Sequence, residues 1–269
     1  MRFALISDVH LGPAASHQGK LRKLTHLSED LINAFVRRMR DEVNPDLVIN
    51  LGDVIEDESA DKDRERYGHF VAMLREIGKP VLHVAGNHDT INLAPTELCA
   101  MWGNSAEPTY SQDHGGVHFA VLRTIEHRGE RIELPATQIA WLEQDLAKTA
   151  LPSIVLMHHP ASEMRLEGNR WFEKRPNLCR VAERRPLREV IQKSGKVLAT
   201  INSSGPIDRF EVQNRQGAAL CRGLAGASNH IRNVDFCSAT IPGGTQYRIV
   251  AAGRAREFLQ YVVTTQAIQ

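Results

Sequence analysis

The chain has few features that would assign it to a specialised class. Its 269 residues hold only 4 cysteines, and Cys99, Cys179, Cys221 and Cys237 form no CxxC pair. That spacing argues against a disulfide framework or a cysteine-based zinc site, and predicts free thiols in a reducing compartment, the cytoplasm. No run approaches the ~20 apolar residues a membrane-spanning helix needs. The first ten residues, MRFALISDVH, lack the long apolar core of a signal peptide. A net charge of +1 provides no field for nucleic acid or a membrane surface. The one basic concentration, Arg165 to Arg188, reads as a solvated surface segment, with an anion-binding flap as the alternative. There is no internal repeat, no low-complexity tract and no linker.

An apolar fraction of 42% and a charged fraction of 24% are ordinary for a folded domain. Short apolar runs recur, each closing on polar residues: 3–6, 47–51, 81–85, 154–157 and 197–201. Runs of this kind without alternation predict strands buried on both faces. Amphipathic stretches lie between them. Positions 31, 32, 35, 36 and 39 form one helical stripe, with Ser28 as the expected N-cap. Phe70, Val71, Leu74 and Ile77 form a second stripe. Ile139, Leu142 and Leu146 form a third, with Thr137 as its expected cap. Strands alternating with helices predict a layered α/β domain. Past Gly205, short alternating pieces at 209–212, 218–221, 247–250 and 258–263 predict antiparallel strands that complete the sheets. The expectation is a single domain over 1–269, with βα units over 1–201 and mainly antiparallel strands over 205–269.

In α/β sheets ligands gather beyond the carboxyl ends of the strands. Four successive strand ends here carry Asp8-Val9-His10, Gly52-Asp53, Gly86-Asn87-His88-Asp89 and His158-His159. Oxygen and nitrogen donors delivered in this way predict a metal site, and glycine lets the chain turn sharply before two of them. On an extended chain, positions 8 and 10 would project to one side. Imidazole, carboxylate and amide donors suit Mn, Fe or Zn without choosing among them.

These four motifs, in order, resemble the first four motifs of the calcineurin-like metallophosphoesterases, over residues 1 to about 160. The stretch Val155-Leu156-Met157-His158-His159-Pro160 is similar to the branch holding class III cyclic-nucleotide phosphodiesterases and glycerophosphodiesterases. The resemblance implies an α/β fold of mixed β-sheets sandwiched by helices. It also implies metal-dependent hydrolysis of a phosphoester, a phosphodiester in that branch, by a metal-activated hydroxide. Carried over by residue, it implies that two divalent ions are held: Asp8 and His10 on the first, Asp53 bridging, Asn87 and His158 on the second. His88 would contact the phosphate or leaving-group oxygen, oriented by Asp89, and His159 would lie behind the ligands. Two ions ~3.5–4 Å apart make a nucleophile near neutral pH and offset charge on an in-line transition state. The partner implied is a small phosphorylated substrate, with no role for nucleic acid or membrane. Oligomeric state is left open.

The family's fifth motif, Gly-His-x-His, is altered. After the strand at 197–201 comes Asn202-Ser203-Ser204-Gly205-Pro206-Ile207-Asp208, which puts Pro206 and Asp208 in place of the two histidines. Three readings follow: a substitute ligand such as Asp208 or an unplaced histidine (His17, His114, His230), a weakly held second ion, or a degenerate binding module without catalysis. Trp171 and Phe172 in the arginine-rich segment are expected either to anchor a loop or to cap the pocket.

Overall fold

In a computed structural model, the described residues are 1–13, 15–17, 20–23, 25–103, 105–161, 166, 172–204 and the strand segments 209–214, 217–219, 237–240, 246–252 and 260–268. The backbone divides into two compact units, Met1–Pro108 with Gly253–Val262, and Thr109–Ala252 with Val263–Gln269.

The first unit opens with β1 (Arg2–Ile6), the short ribbon β2 (Ala15–His17) and β3 (Lys20–Lys23), and helix α1 (Ser28–Arg38). It continues through β4 (Leu47–Asn50), α2 (Ala60–Arg75), β5 (Val81–His83), α3 (Asp89–Asn92) and α4 (Pro95–Trp102). Strands β1, β4 and β5 are parallel, with Ile6 opposite Asn50 and Asn50 opposite His83. All three therefore stop at one level, and the polar sequences that follow emerge side by side. Phe3, Leu5, Leu47, Ile49 and Leu82 are buried, as continuous apolar runs in a doubly covered sheet require. The helical stripes behave as expected: Ile32, Phe35 and Val36 of α1, and Phe70, Val71 and Leu74 of α2, are all buried. Fully burying one such side chain contributes about 1.5–3 kcal/mol.

Ser28 is not the cap of α1. The N-cap is Leu27, and the buried Ser28 hydroxyl donates to the Val9 carbonyl at 2.7 Å, tying the helix to the loop after β1. The helix continues through a π-turn, Met39–Val43, and stops at Asn44, whose φ of 47° is left-handed. A true cap appears at α2, where the Ser59 hydroxyl accepts from the Lys62 N–H.

The second unit contains β6 (Tyr110–His114), β7 (Val117–Val121), the ribbon β8 (Ile125–His127) and β9 (Arg131–Glu133), α5 (Ala136–Lys148), β10 (Ser153–Met157), α6 (Arg184–Ser194) and β11 (Val197–Ser204). Strands β12 (Arg209–Asn214), β13 (Gly217–Ala219), β14 (Cys237–Thr240) and β15 (Gln246–Ala252) follow, and β16 (Gln260–Ile268) is the last strand of the chain. One sheet runs β13-β12-β11-β10-β7-β6. Its centre, β7, β10 and β11, is parallel, and β12, β13 and β6 add to it antiparallel. Strands β14 and β15 also pair antiparallel, in line with the alternating pieces of the C-terminal sequence. Ile139, Leu142 and Leu146 of α5 and Leu187 of α6 pack on Val155, Met157 and Val197. Pro135, not Thr137, is the N-cap of α5, and no side chain caps it.

Cys99 and Cys179 are buried and free, and burial pushes the Cys179 thiol up to about 11. Cys221, His230, Arg165, Trp171 and the altered segment 205–208 lie outside the described residues, as do the side chains of His17 and Cys237. Among the described residues, no helix is long and apolar enough to cross a membrane.

Candidate metal centre

The loops after β1, β4 and β5 are joined backbone to backbone. Asp8 N–H donates to the Gly52 carbonyl (3.0 Å), His10 N–H to the Asp53 carbonyl (3.1 Å) and Leu11 N–H to the Val54 carbonyl (2.7 Å). Gly52 and Gly86 face each other so closely that a Cβ on Gly52 would lie 2.5 Å from the Gly86 nitrogen. A Cβ on Gly86 would collide with the backbone and carboxylate of Asp53. Gly52 also has φ 95°, which no β-carbon tolerates well.

A buried polar chain fixes the β4 end. Burial pushes His83 down to about 3, so its ring is neutral and its Nδ1 accepts from the Asn50 amide at 3.4 Å. The other end of that amide, Oδ1, accepts from the Gly52 N–H at 3.1 Å. Trp102 stacks on His83 with ring centroids 5.4 Å apart. His83 thus serves the loop from below, as a scaffold.

Asp8, His10 and Asp53 offer ligand atoms that all lie within 4.8 Å of one another. They do not converge through strand alternation. Asp8, His10 and Asp53 have φ of 54°, 50° and 55°, in the left-handed region. For residues other than glycine this costs on the order of 1–3 kcal/mol each and persists where the surroundings overdetermine it. Here the inter-loop hydrogen bonds do so. The Ser7 hydroxyl donates to Asp8 Oδ2 at 2.5 Å, and Asp53 Oδ1 accepts from the His88 N–H at 3.0 Å. Asp53 Oδ2 is 3.9 Å from His10 Nε2. Asn87, half-buried, lies in the chain between Gly86 and His88, both of which are anchored to these loops.

His88 is beside this group, its ring centroid 4.9 Å from that of His10 at 88°. Its carboxylate partner is not Asp89. Asp57 Oδ1 lies 2.7 Å from His88 Nδ1. Asp89, fully buried, instead accepts from backbone N–H groups: Asp53 (3.0 Å) and Gly86 (2.9 Å) on Oδ2, Val54 (2.8 Å) and Ile55 (3.4 Å) on Oδ1. A carboxylate is acceptor-only, so it can close several loop donors at once. Asp89 therefore holds the loops after β4 and β5 together.

Glu56 and Asp57 are the residues that sequence reasoning passed over. Glu56 Oε2 lies 3.1 Å from His10 Nδ1, and Glu56, His10 and His88 form a second cluster of ligand atoms within 4.8 Å. The signal was present as Asp53-x-x-Glu56-Asp57, two acids placed directly after the strand end.

In the second unit the ends of β7, β10 and β11 are also polar. His158 is buried and meets His159 edge to face at 4.6 Å. His159 Nδ1 is 2.7 Å from the Thr124 hydroxyl, which holds its ring in place. At the end of β11, Asn202 is buried opposite Met157, and its Oδ1 has no hydrogen-bond partner among the described residues. His114 sits in β6 near Phe119, and burial lowers its pKa.

The calcineurin-like phosphoesterase family model matches residues 1–191. A probable cyclic nucleotide phosphodiesterase of Synechococcus sp. is 30% identical over 119 residues, covering 44% of this chain and 43% of that one. A protein of the same description from Psychrobacter arcticus is 25% identical over 126 residues, covering 44% of each. The match thus spans less than half the length of either relative. Among solved structures, a dimetal phosphatase from Danio rerio superposes with TM-score 0.62 at 16% identity, over 80% of this chain and 84% of that one. A purple acid phosphatase from yellow lupin seeds gives 0.57 at 15% identity, over 93% and 49%. Two sheets with helices, and acids and histidines on the strand ends, define the architecture of a layered α/β phosphoesterase. The chain belongs to the calcineurin-like phosphoesterase family.

Proposed function

We propose that this protein is a metal-dependent phosphodiesterase acting on a small phosphorylated molecule. The observation that carries the reading is the convergence of Asp8, His10 and Asp53 ligand atoms within 4.8 Å, next to a histidine on Asn87-His88. The donor set fits a divalent cation: carboxylates and a buried imidazole, held in strained backbone by a network of hydrogen bonds. Asp8 and His10 would hold a first ion and Asp53 would bridge to a second, with Asn87 and His158 as the second ion's ligands and Mn, Fe or Zn as its candidates. Such ions supply an acidified water and positive charge against the phosphoryl oxygens. The names of the two relatives support a diester, with cyclic nucleotides among the candidates. His88 would contact the phosphate or the leaving oxygen. A family match over residues 1–191, which reaches from the first compact unit into the second, supports treating the chain as one phosphoesterase domain. The free thiols of Cys99 and Cys179 support a cytoplasmic location.

The test is hydrolysis of a chromogenic phosphodiester by metal-stripped protein reloaded with Mn²⁺, beside Asp53→Ala. Turnover that requires both Mn²⁺ and Asp53 is the expected result. Folded, Mn²⁺-loaded protein with no turnover above the variant would overturn it and favour a binding module, for which the altered segment Gly205 to Asp208 is the sequence argument.

A further inference from the structure

The segment after Asp53 is supported along its length. Its first part runs beside the loop after β1, held by Leu11 N–H on the Val54 carbonyl and Glu56 N–H on the Leu11 carbonyl (2.9 Å). Gly12 makes this approach possible, because a Cβ there would lie 2.7 Å from the Glu56 Cβ. Past Asp57 the support comes from α2. The Glu58 N–H donates to Asp63 Oδ1 at 3.1 Å, and the Glu58 carboxylate pairs with Arg66 at 2.6 Å. Ser59 then caps α2, and its carbonyl accepts from the Asp63 N–H at 2.8 Å.

Asp63 is fully buried, and burying a carboxylate is costly unless donors fill its oxygens. Each oxygen takes one. Opposite the Glu58 N–H, Oδ2 accepts from Asn92 Nδ2 at 2.7 Å. Asn92 is the last residue of α3, the four-residue helix that begins at Asp89, directly after His88. One buried carboxylate therefore joins the segment that carries Glu56 and Asp57 to the helix that follows His88. Asp89 joins the same two stretches of chain at their other end, through the N–H groups of Asp53, Val54 and Gly86. Asp63 itself belongs to neither cluster of converging ligand atoms.

We propose that Asp63, with Asn92 as its partner, is a positioning residue for this site. It is the outer brace that sets the separation between the segment after Asp53 and the turn carrying His88, while Asp89 braces the inner end. Loosening the outer brace displaces His88 relative to substrate and leaves the loops around Asp53 and Gly86 held by Asp89. Turnover should therefore suffer and cation affinity should not. The turnover half rests on the phosphodiesterase reading; the brace itself does not.

The experiment uses the full chain with Asp63→Ala, Asn92→Ala and Asp63→Asn, and urea curves to establish that each variant is folded. Asp63→Asn is the conservative control: its carbonyl still accepts from the Glu58 N–H, and its amide donates to Asn92 once the Asn92 amide is turned over. Competition with a chromophoric chelator reads Mn²⁺ affinity, a chromogenic phosphodiester reads kcat and KM, and backbone hydrogen exchange of metal-free protein reads local opening. Both alanine variants should keep Mn²⁺ affinity within about threefold and lose about 10–100-fold in kcat with little change in KM, as a misplaced catalytic ring does. Exchange should quicken about tenfold or more over 54–58 and 88–92 and stay unchanged over 47–50, because a bond to a charged acceptor is lost locally. Asp63→Asn should restore kcat and exchange to within about threefold of the unmutated protein. If Asp63→Ala does not fold, Asn92→Ala, at a half-buried position, makes the same comparison. Four results would overturn the proposal: exchange quickened evenly across the first unit, which is a general stabiliser; Mn²⁺ affinity falling with kcat; kcat unchanged in the folded alanine variants; or Asp63→Asn as damaged as Asp63→Ala. Absence of turnover in the unmutated protein would instead count against the phosphodiesterase reading, while exchange and Mn²⁺ affinity would still decide whether Asp63 is the brace.

Discussion

Replacing Asp89 separates two roles that its sequence position does not distinguish. If it oriented His88, Asp89→Ala would lower turnover and leave stability almost unchanged. The structure gives a different expectation. The carboxylate is fully buried and accepts three short bonds, from Asp53, Val54 and Gly86, at 2.8–3.0 Å. Alanine leaves those N–H groups without an acceptor, each at about 1–3 kcal/mol when buried. With some relaxation and no additivity, the loss is about 3–5 kcal/mol, in the exceptional class for one substitution. At an m-value of about 2–3 kcal/mol/M, the urea midpoint should fall by roughly 1–2 M. Asp89→Asn keeps one carbonyl acceptor and should fall between the two. Because the bonded donors include Asp53 itself, Mn²⁺ affinity should drop in parallel with stability. An unfolding free energy unchanged to within about 0.5 kcal/mol, with turnover lost, would refute the clamp and restore the orienting role.

Other perturbations are as specific. Gly86→Ala should weaken Mn²⁺ binding and lower the thermal midpoint together, because the new methyl has no space beside Asp53; calorimetry of the Mn²⁺ titration checks it. Tyr67→Phe removes the buried acceptor of the Trp102 indole N–H, 3.0 Å away, and should cost about 1 kcal/mol, seen as a thermal shift of about 2–4 °C. His118 lies between Asp145 (2.8 Å) and Asp113 (2.6 Å), and its pKa is raised above the usual 6.5, chiefly by the hydrogen bond to Asp145, against desolvation. A raised histidine stabilises fully below its unfolded value and loses that contribution as pH climbs through the folded one. The stability gap between the protein and His118→Gln should therefore be widest near pH 6 and shrink above about 6.5. A gap independent of pH would rule out the charged pairing.

The parts of the fold that the sequence disclosed are those where one physical demand dominates. Strands buried on both faces must be apolar throughout, so β1, β4, β10 and β11 stand out. Helices with one buried face must repeat at helical spacing, so α1, α2 and α5 do as well. The hairpin of β6 and β7 is equally legible: Gly115-Gly116 supplies the two left-handed residues, φ 53° and 76°, that a two-residue turn requires. The caps differ from the sequence expectation because Ser28 and Thr137 fit only a local preference, whereas a tertiary contact with Val9 claims Ser28 and Pro135 already starts α5.

The site divides in the same way. Asp8, His10, Asp53 and His88 are marked by residue type at strand ends, which sequence displays directly. What Asp89, Glu56 and Asp57 do depends on which neighbour each carboxylate reaches, and that is set by backbone placement to within an ångström or two. Adjacent residues in one acidic pair serve different histidines, and the acid next to His88 in sequence serves neither. A carboxylate near a histidine in sequence is therefore poor evidence of a pair. Gly12, Gly52 and Gly86 are better evidence, because a glycine opposite a carboxylate or a loop records where two backbones had to approach. The close contacts at these three glycines show why the polar cluster can be compact: the loops carrying it leave no room for side chains between them.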